Sequence, residues 1–177
     1  ITVAFIQDIL KLPCPKIFHN AAYDVGWLKI NGFEIRGEII DTMVAAAIVD
    51  ENRWSYSLNA LAADYLGEIK SEALLKERAK EWGIDAKADM WRMPAGFVGQ
   101  YAEQDAALTY KLWQHFKPII IRENLQEVWE LEKELLPNLI EMRMRGMRVN
   151  LDRTAQLRKE FIGEENKILR TIKDMTG

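Results

Sequence analysis

The segment Gln100-Tyr101-Ala102-Glu103-Gln104-Asp105, with the apolar run behind it, constrains this chain more than any other stretch. Ala106, Leu108, Thr109, Leu112, Trp113 and Phe116 recur at spacings that suit one side of a helix. Tyr101 and Asp105 stand four residues apart, so on that helix they share a face. A carboxylate suits a hard metal ion, and a phenol can orient a water or a phosphate oxygen. A half-buried Tyr and a solvated Asp on an amphipathic helix would give the same pattern, so the pair needs support from elsewhere in the chain.

That support lies near the N-terminal end. Ile17-Phe18-His19-Asn20 reads as a short buried strand, and the segment from Ala21, with Tyr23 and Asp24, as the start of a helix. Asp24 therefore sits near a strand-to-helix junction. Asn20-Ala21-Ala22-Tyr23-Asp24, then Asp41-Thr42-Met43, then Tyr101-Ala102-Glu103-Gln104-Asp105 follow in order. This series, N-x-x-Y-D after a strand, D-T-M, and Y-x-x-x-D opening a late helix, resembles the 3′–5′ exonucleases that use four acidic metal ligands and a catalytic tyrosine.

The resemblance implies an α/β fold of the ribonuclease H-like class, helix-rich and partial in the piece present. It implies that Asp24 and Asp105 are metal ligands and catalytic groups, and that Tyr101 orients the attacking water. Asn20 and Tyr23 would lie beside the terminal nucleotides. The implied cofactor is Mg²⁺ or Mn²⁺, two ions in the complete site, because two divalent ions can both activate a water and stabilise the leaving oxygen. The implied substrate is the 3′ end of single-stranded DNA.

The family's other two carboxylates come from a D-x-E on the first strand of the sheet. No D-x-E precedes Asp24; the acid upstream is Asp8, followed by Ile9 and Leu10. Either the chain begins after the first strands, or the domain is degenerate. The amphipathic Thr2–Leu10 segment resembles the helix that precedes the Asn20 strand, and the first residue is Ile, so truncation at both ends is the expectation. The isolated 177 residues are expected to show little nuclease activity.

The last third carries a second resemblance. The helical pattern Glu130 to Met142 with Pro137 inside it, then Arg145-Gly146-Met147-Arg148-Val149-Asn150, is similar to the passage of family A DNA polymerases that leads from the exonuclease into the polymerase domain. Asn150 stands where Asp is usual. The implied organisation is an exonuclease domain over 1–118, then a connecting helix and the first helices of a polymerase thumb over 119–177. The implied partners are single-stranded and primer-template DNA and a polymerase domain in the same parent chain, in the cytoplasm of a bacterial or phage-infected cell. A ribonuclease D-like or helicase-associated exonuclease acting on RNA or structured ends is the nearest alternative, and a non-catalytic scaffold the other.

Between these landmarks the chain reads as short elements. Glu38–Ile40 is a strand, and Asp41-Thr42 caps a helix over Met43–Val49. Ser57 to Gly67 and Ser71 to Trp82 are helical, each with a Gly stop, and Ile84 to Met93 is irregular. The Tyr101 helix is expected to end near Pro118, the next to run from Gln126 to Arg145 with a kink at Pro137, and the last from Leu151 to Asp174.

Composition narrows the field further. A net charge of −3 argues against bulk phosphate attraction as the mode of binding, although an acidic metal-dependent site is compatible with it. One cysteine, Cys14, precludes an internal disulfide. No run approaches a membrane span. His19 reads as structural and His115 as surface. Trp54, Trp82, Trp91 and Trp129 read as packing residues that could alternatively stack on bases. Arg143, Arg145 and Arg148 form a small basic cluster near a helix end.

Overall fold

A computed structural model describes residues 3–69 and 73–176. Thr2, the expected helix start at Ser71 and the terminal Gly177 lie outside the described residues. Contacts divide the chain into two units, 1–144 and 145–177.

In the first unit the order is α1 (Val3–Leu10), β1 (Lys16–Phe18), α2 (Ala21–Ile30), β2 (Ile39–Asp41), α3 (Thr42–Val49), α4 (Leu58–Leu61), α5 (Ala73–Glu81), α6 (Ala95–Arg122) and α7 (Gln126–Arg145). β1 and β2 pair in parallel, with Lys16 opposite Ile39, Ile17 opposite Ile40 and Phe18 opposite Asp41. Helix α2 is the crossover that a parallel pair requires. β1 stops at Phe18, two residues short of the expected end, because Asn20 turns into the left-handed region at φ 64°, ψ 55°. Asn is one of the few non-glycine residues that tolerate that conformation.

The core forms around α6. Leu112, Trp113, Phe116 and Ile120 pack against Ile40, Ala45 and Ala46, Leu61 and Trp129. The small side chains Ala45 and Ala46 of α3 leave room for the larger ones of α6. The Trp113 and Trp129 rings lie 5.1 Å apart at 31°. Of the four tryptophans expected to pack, Trp129 does so, whereas Trp54, Trp82 and Trp91 are exposed, contrary to that expectation. His115 is half-buried, its ring 5.2 Å from Tyr65 and 5.5 Å from Phe116.

One proline behaves differently from the sequence expectation: α6 runs through Pro118 to Arg122, whereas α7 spans Gln126–Arg145 with Pro137 inside it, the bounds the sequence indicated. An internal Pro costs about 3 kcal/mol. Burial of Ile120 beyond the first, and of Leu136 and Ile140 around the second, offsets that cost. The segment after α4 also departs from an ideal helix. Ala62–Leu66 widens into a π turn that ends at Gly67, φ 66°, and carries Tyr65 against Phe116 at 5.0 Å. Residues 84–93 are mostly turns, with a short 3₁₀ segment over Met90–Arg92.

The second unit consists of α8 (Leu151–Thr176), preceded by Gly146 at φ 66° and an irregular link. No described residue of α8 is buried; Phe161, Ile168, Leu169 and Ile172 remain exposed.

Candidate active site

The site is built on the junction after β1. Asp41, at the end of β2, is 3% exposed. Its carboxylate accepts hydrogen bonds from the backbone N–H groups of Asn20 at 3.0 Å, Ala21 at 2.7 Å and Met43 at 2.9 Å. One side chain therefore caps α3, as its sequence position indicated, and also satisfies the amino end of α2, which it did not indicate. Strand pairing puts Asp41 opposite Phe18, two residues before Asn20, and this explains the double role.

His19 is fixed beside it. A carbonyl oxygen can only accept, so Nε2–H donates to the Tyr56 carbonyl at 3.0 Å. In the neutral ring Nδ1 then accepts from the Thr42 hydroxyl at 2.9 Å. That hydroxyl also lies 3.1 Å from the Phe18 carbonyl, its alternative acceptor. Burial lowers the imidazole below its ordinary value of 6.5, against the opposing pull of Asp41, the Tyr56 carbonyl and Asp105.

A cavity of about 810 Å³ opens over this junction, and Tyr23, Asp24, Tyr101 and Asp105 line it, with His19 among the other wall residues. Asp24 lies in the first turn of α2. Tyr101, Asp105 and Thr109 line the cavity from one stripe of α6, at successive spacings of four. The helix starts at Ala95, so Tyr101 and Asp105 sit inside it rather than at its opening. Asn20 is placed at the cap of α2 and is not among the wall residues. Burial raises the Asp24 carboxyl above its ordinary value; its own backbone N–H opposes this and the Asp41 charge adds to it.

Three further wall residues escaped the sequence reading. Trp27 lines the cavity one turn after Tyr23 on α2. Its spacing from Tyr23 was the available signal. Asn59 and Lys87 also contribute, the latter from the irregular 84–93 segment, where periodicity gives no guidance.

Hard divalent ions take oxygen donors, and Mg²⁺ is commonly held by one or two carboxylates plus water. Asp24 and Asp105, on separate helices around one cavity, fit one such ion in donor type and number. Among the described residues no group of three or more His, Cys, Asp or Glu side chains is arranged to hold a metal ion. No helix among the described residues is long and apolar enough to cross a membrane.

Residues 2–121 match the model of a family described as 3′–5′ exonuclease, associated with family A DNA polymerases. The chain is 35% identical over 160 residues to a DNA-directed DNA polymerase of Pseudomonas phage M6, a match that covers 89% of this chain and 24% of that protein. It is 34% identical over 157 residues to the DNA polymerase DpoZ of Salmonella phage PMBT28, covering 85% of this chain and 24% of the other. DNA polymerase I of Rhizobium leguminosarum is 30% identical over 147 residues, covering 82% and 14%. The chain spans about a quarter of the length of the phage relatives it matches. The helix-rich layer and small parallel sheet are consistent with part of a ribonuclease H-like exonuclease fold, and this chain belongs to the 3′–5′ exonuclease domain family of family A DNA polymerases.

Proposed function

We propose that the chain is the proofreading portion of a DNA polymerase, of the four-acid, tyrosine-bearing exonuclease subclass, and that it contributes Asp24, Tyr101 and Asp105 to a site that, completed by a D-x-E strand, hydrolyses the 3′-terminal phosphodiester of single-stranded DNA. What supports this reading is that Asp24, Tyr101 and Asp105 line one cavity in a chain of this family. Asp24 and Asp105 would hold the divalent ion, Mg²⁺ or Mn²⁺. When bound, the ion supplies Lewis-acid stabilisation of charge on the phosphate and leaving oxygens.

The chain's own residues do the rest. The Tyr101 hydroxyl holds the attacking water in line with the scissile bond. Tyr23 flanks the terminal nucleotide, and the Asn20 side chain reaches its sugar or phosphate. Lys87 brings a cation to the wall where the substrate's negative charge enters. Asp41 and His19 keep α2 and the strand end in register, so the carboxylates stay placed without binding energy being spent on ordering them.

Residues 1–118 would form the exonuclease unit, and 119–177 the connection and first helices of a polymerase thumb, with primer-template DNA as the shared substrate. The phage and bacterial relatives are DNA polymerases, which supports DNA over RNA as the substrate; a cytoplasmic setting belongs to the same proposal. A second ion would need carboxylates beyond Asp24 and Asp105, as in the D-x-E of the family. The test compares the 177-residue chain with a version extended at its N-terminal end by a D-x-E strand, on 5′-labelled single-stranded DNA with Mg²⁺ or Mn²⁺. The reading predicts stepwise shortening from the 3′ end by the extended version and little by the chain itself. Equal release by both, or cleavage at internal positions, would overturn it.

A further inference from the structure

Helix α2 presents three stripes. Ala21 and Val25 are buried against Leu136 and Ile140 of α7. That contact brings the next turn of α7, with Arg143 and Met144, beside Ala22, Gly26 and Ile30, where a second cavity of about 250 Å³ opens. Asp24 and Leu28 face the larger cavity instead. Tyr23 and Trp27 line both cavities.

These two side chains therefore form a ridge. Their rings meet edge to face at 6.5 Å and 65°, and each is about half exposed, Tyr23 at 53% and Trp27 at 55%. An edge-to-face pair fixes both rings at little entropic cost, and leaves aromatic surface uncovered. On one side of the ridge the wall carries Asp24 and Asp105 together with Lys87 and His19; on the other, Arg143 is the charged residue. Gly26 between them has no side chain, and a Cβ there would meet nothing within 4 Å, so the floor of the smaller cavity is open.

We propose that the ridge and the smaller cavity are a second nucleotide-binding position, which takes the single strand upstream of the scissile bond. This rests on the exonuclease reading of the larger cavity. A strand whose terminal phosphodiester lies beside Asp24 and Asp105 crosses the ridge, one base stacks on the Trp27 indole, and an upstream phosphate meets Arg143. Base stacking on an indole is tolerant of sequence, as an enzyme that removes any nucleotide needs. A guanidinium can grip a phosphate with two parallel N–H bonds. The strand's direction follows from its reacting end lying beside Asp24 and Asp105 and its upstream phosphate beside Arg143.

The test reads binding, not hydrolysis. A short 5′-fluorescein oligothymidylate is titrated with the full chain by anisotropy, with Ca²⁺ as the divalent ion. A series of the same oligonucleotide carries one abasic nucleotide at each of the 3′-terminal positions in turn. Trp27→Ala is expected to weaken binding about tenfold, and Trp27→Phe far less. Arg143→Gln is expected to weaken binding and to lower the salt slope by about 0.7. The Trp27→Ala penalty should vanish on one abasic oligonucleotide, at a fixed distance from the 3′ end, and persist on the others. Normal binding by both variants, no binding by the unsubstituted chain, or a Trp27→Ala penalty that is the same on every abasic oligonucleotide would overturn the proposal. Loss of hydrolysis by the Asp24 or Asp105 variants is a separate result and bears on the exonuclease reading alone.

Discussion

The carboxylate of Asp41 lies 2.7 Å from the backbone N–H of Ala21, so the end of one strand caps the helix that follows the other. The same carboxylate takes the N–H groups of Asn20 and Met43. Charge-assisted bonds of this kind are worth more than neutral ones, and each N–H left unpaired in the interior carries a desolvation cost. Asp41→Ala should destabilise the chain by about 3 kcal/mol or more, measured by denaturant unfolding. In the D-x-E-extended chain it should also abolish activity without removing any group that touches substrate. A loss under about 1 kcal/mol would mean that the amino end of α2 is held by something else.

Asn20 separates a backbone role from a substrate role. Its left-handed conformation is tolerated by Asn and Gly but strains most other residues. Asn20→Gly should leave stability nearly unchanged, and Asn20→Ala should cost about 1 kcal/mol or more. If the side chain also touches the nucleotide, Asn20→Gly should weaken oligonucleotide affinity despite its intact fold. Equal stability of the two variants would remove the strain argument.

His19 gives a pH signature. Its proton affinity is lowered by burial, so below the ordinary value of 6.5 the unfolded chain binds more protons at this site than the folded one. The stability it contributes is therefore present at neutral pH and declines as pH falls through 6.5. The stability gap between the unsubstituted chain and His19→Gln should narrow from pH 7 toward pH 5. The raised carboxyl of Asp24 acts in the opposite sense, favouring the folded state as pH falls, but it is present in both proteins and cancels in the difference. A gap that widens on acidification would contradict the neutral, donor-at-Nε2 assignment.

Much of the site was legible because it lies on periodic elements. Tyr101 and Asp105 share a stripe of α6 at a spacing of four, and Asp24 follows a strand whose apolar residues announce it. The cap at Asp41 was legible for α3, where it is local. Its bonds to Asn20 and Ala21 span about twenty residues and depend on the parallel register, which a single sequence does not display. The run of α6 past Pro118 was hidden for the same reason, since long-range burial of Ile120 overrides a local breaker. Lys87 sits in turns with no period to read. The exposure of Trp54, Trp82 and Trp91 went against the packing preference of large aromatic residues, and nothing in the structure explains it.

Tyr101 is assigned a water-positioning role, and this predicts a split in its effects. Tyr101→Phe keeps the ring that packs beside Leu75, Ala79 and Met93 and removes the hydroxyl alone. Turnover in the D-x-E-extended chain should fall roughly tenfold to a hundredfold, while Mn²⁺ affinity, read by titration, stays within about twofold. Unaltered turnover would make Tyr101 a packing residue of that cluster.

The central claim is that hydrolysis takes place in the cavity shared by Asp24, Tyr101 and Asp105. Its most direct test is the single-turnover rate of 3′-mononucleotide release from single-stranded DNA in Mg²⁺, using the D-x-E-extended chain with Asp24→Asn or Asp105→Asn. Each substitution should lower the rate about a hundredfold or more, with the fold intact by circular dichroism. Rates within about twofold of the unsubstituted protein for both variants would place the chemistry elsewhere.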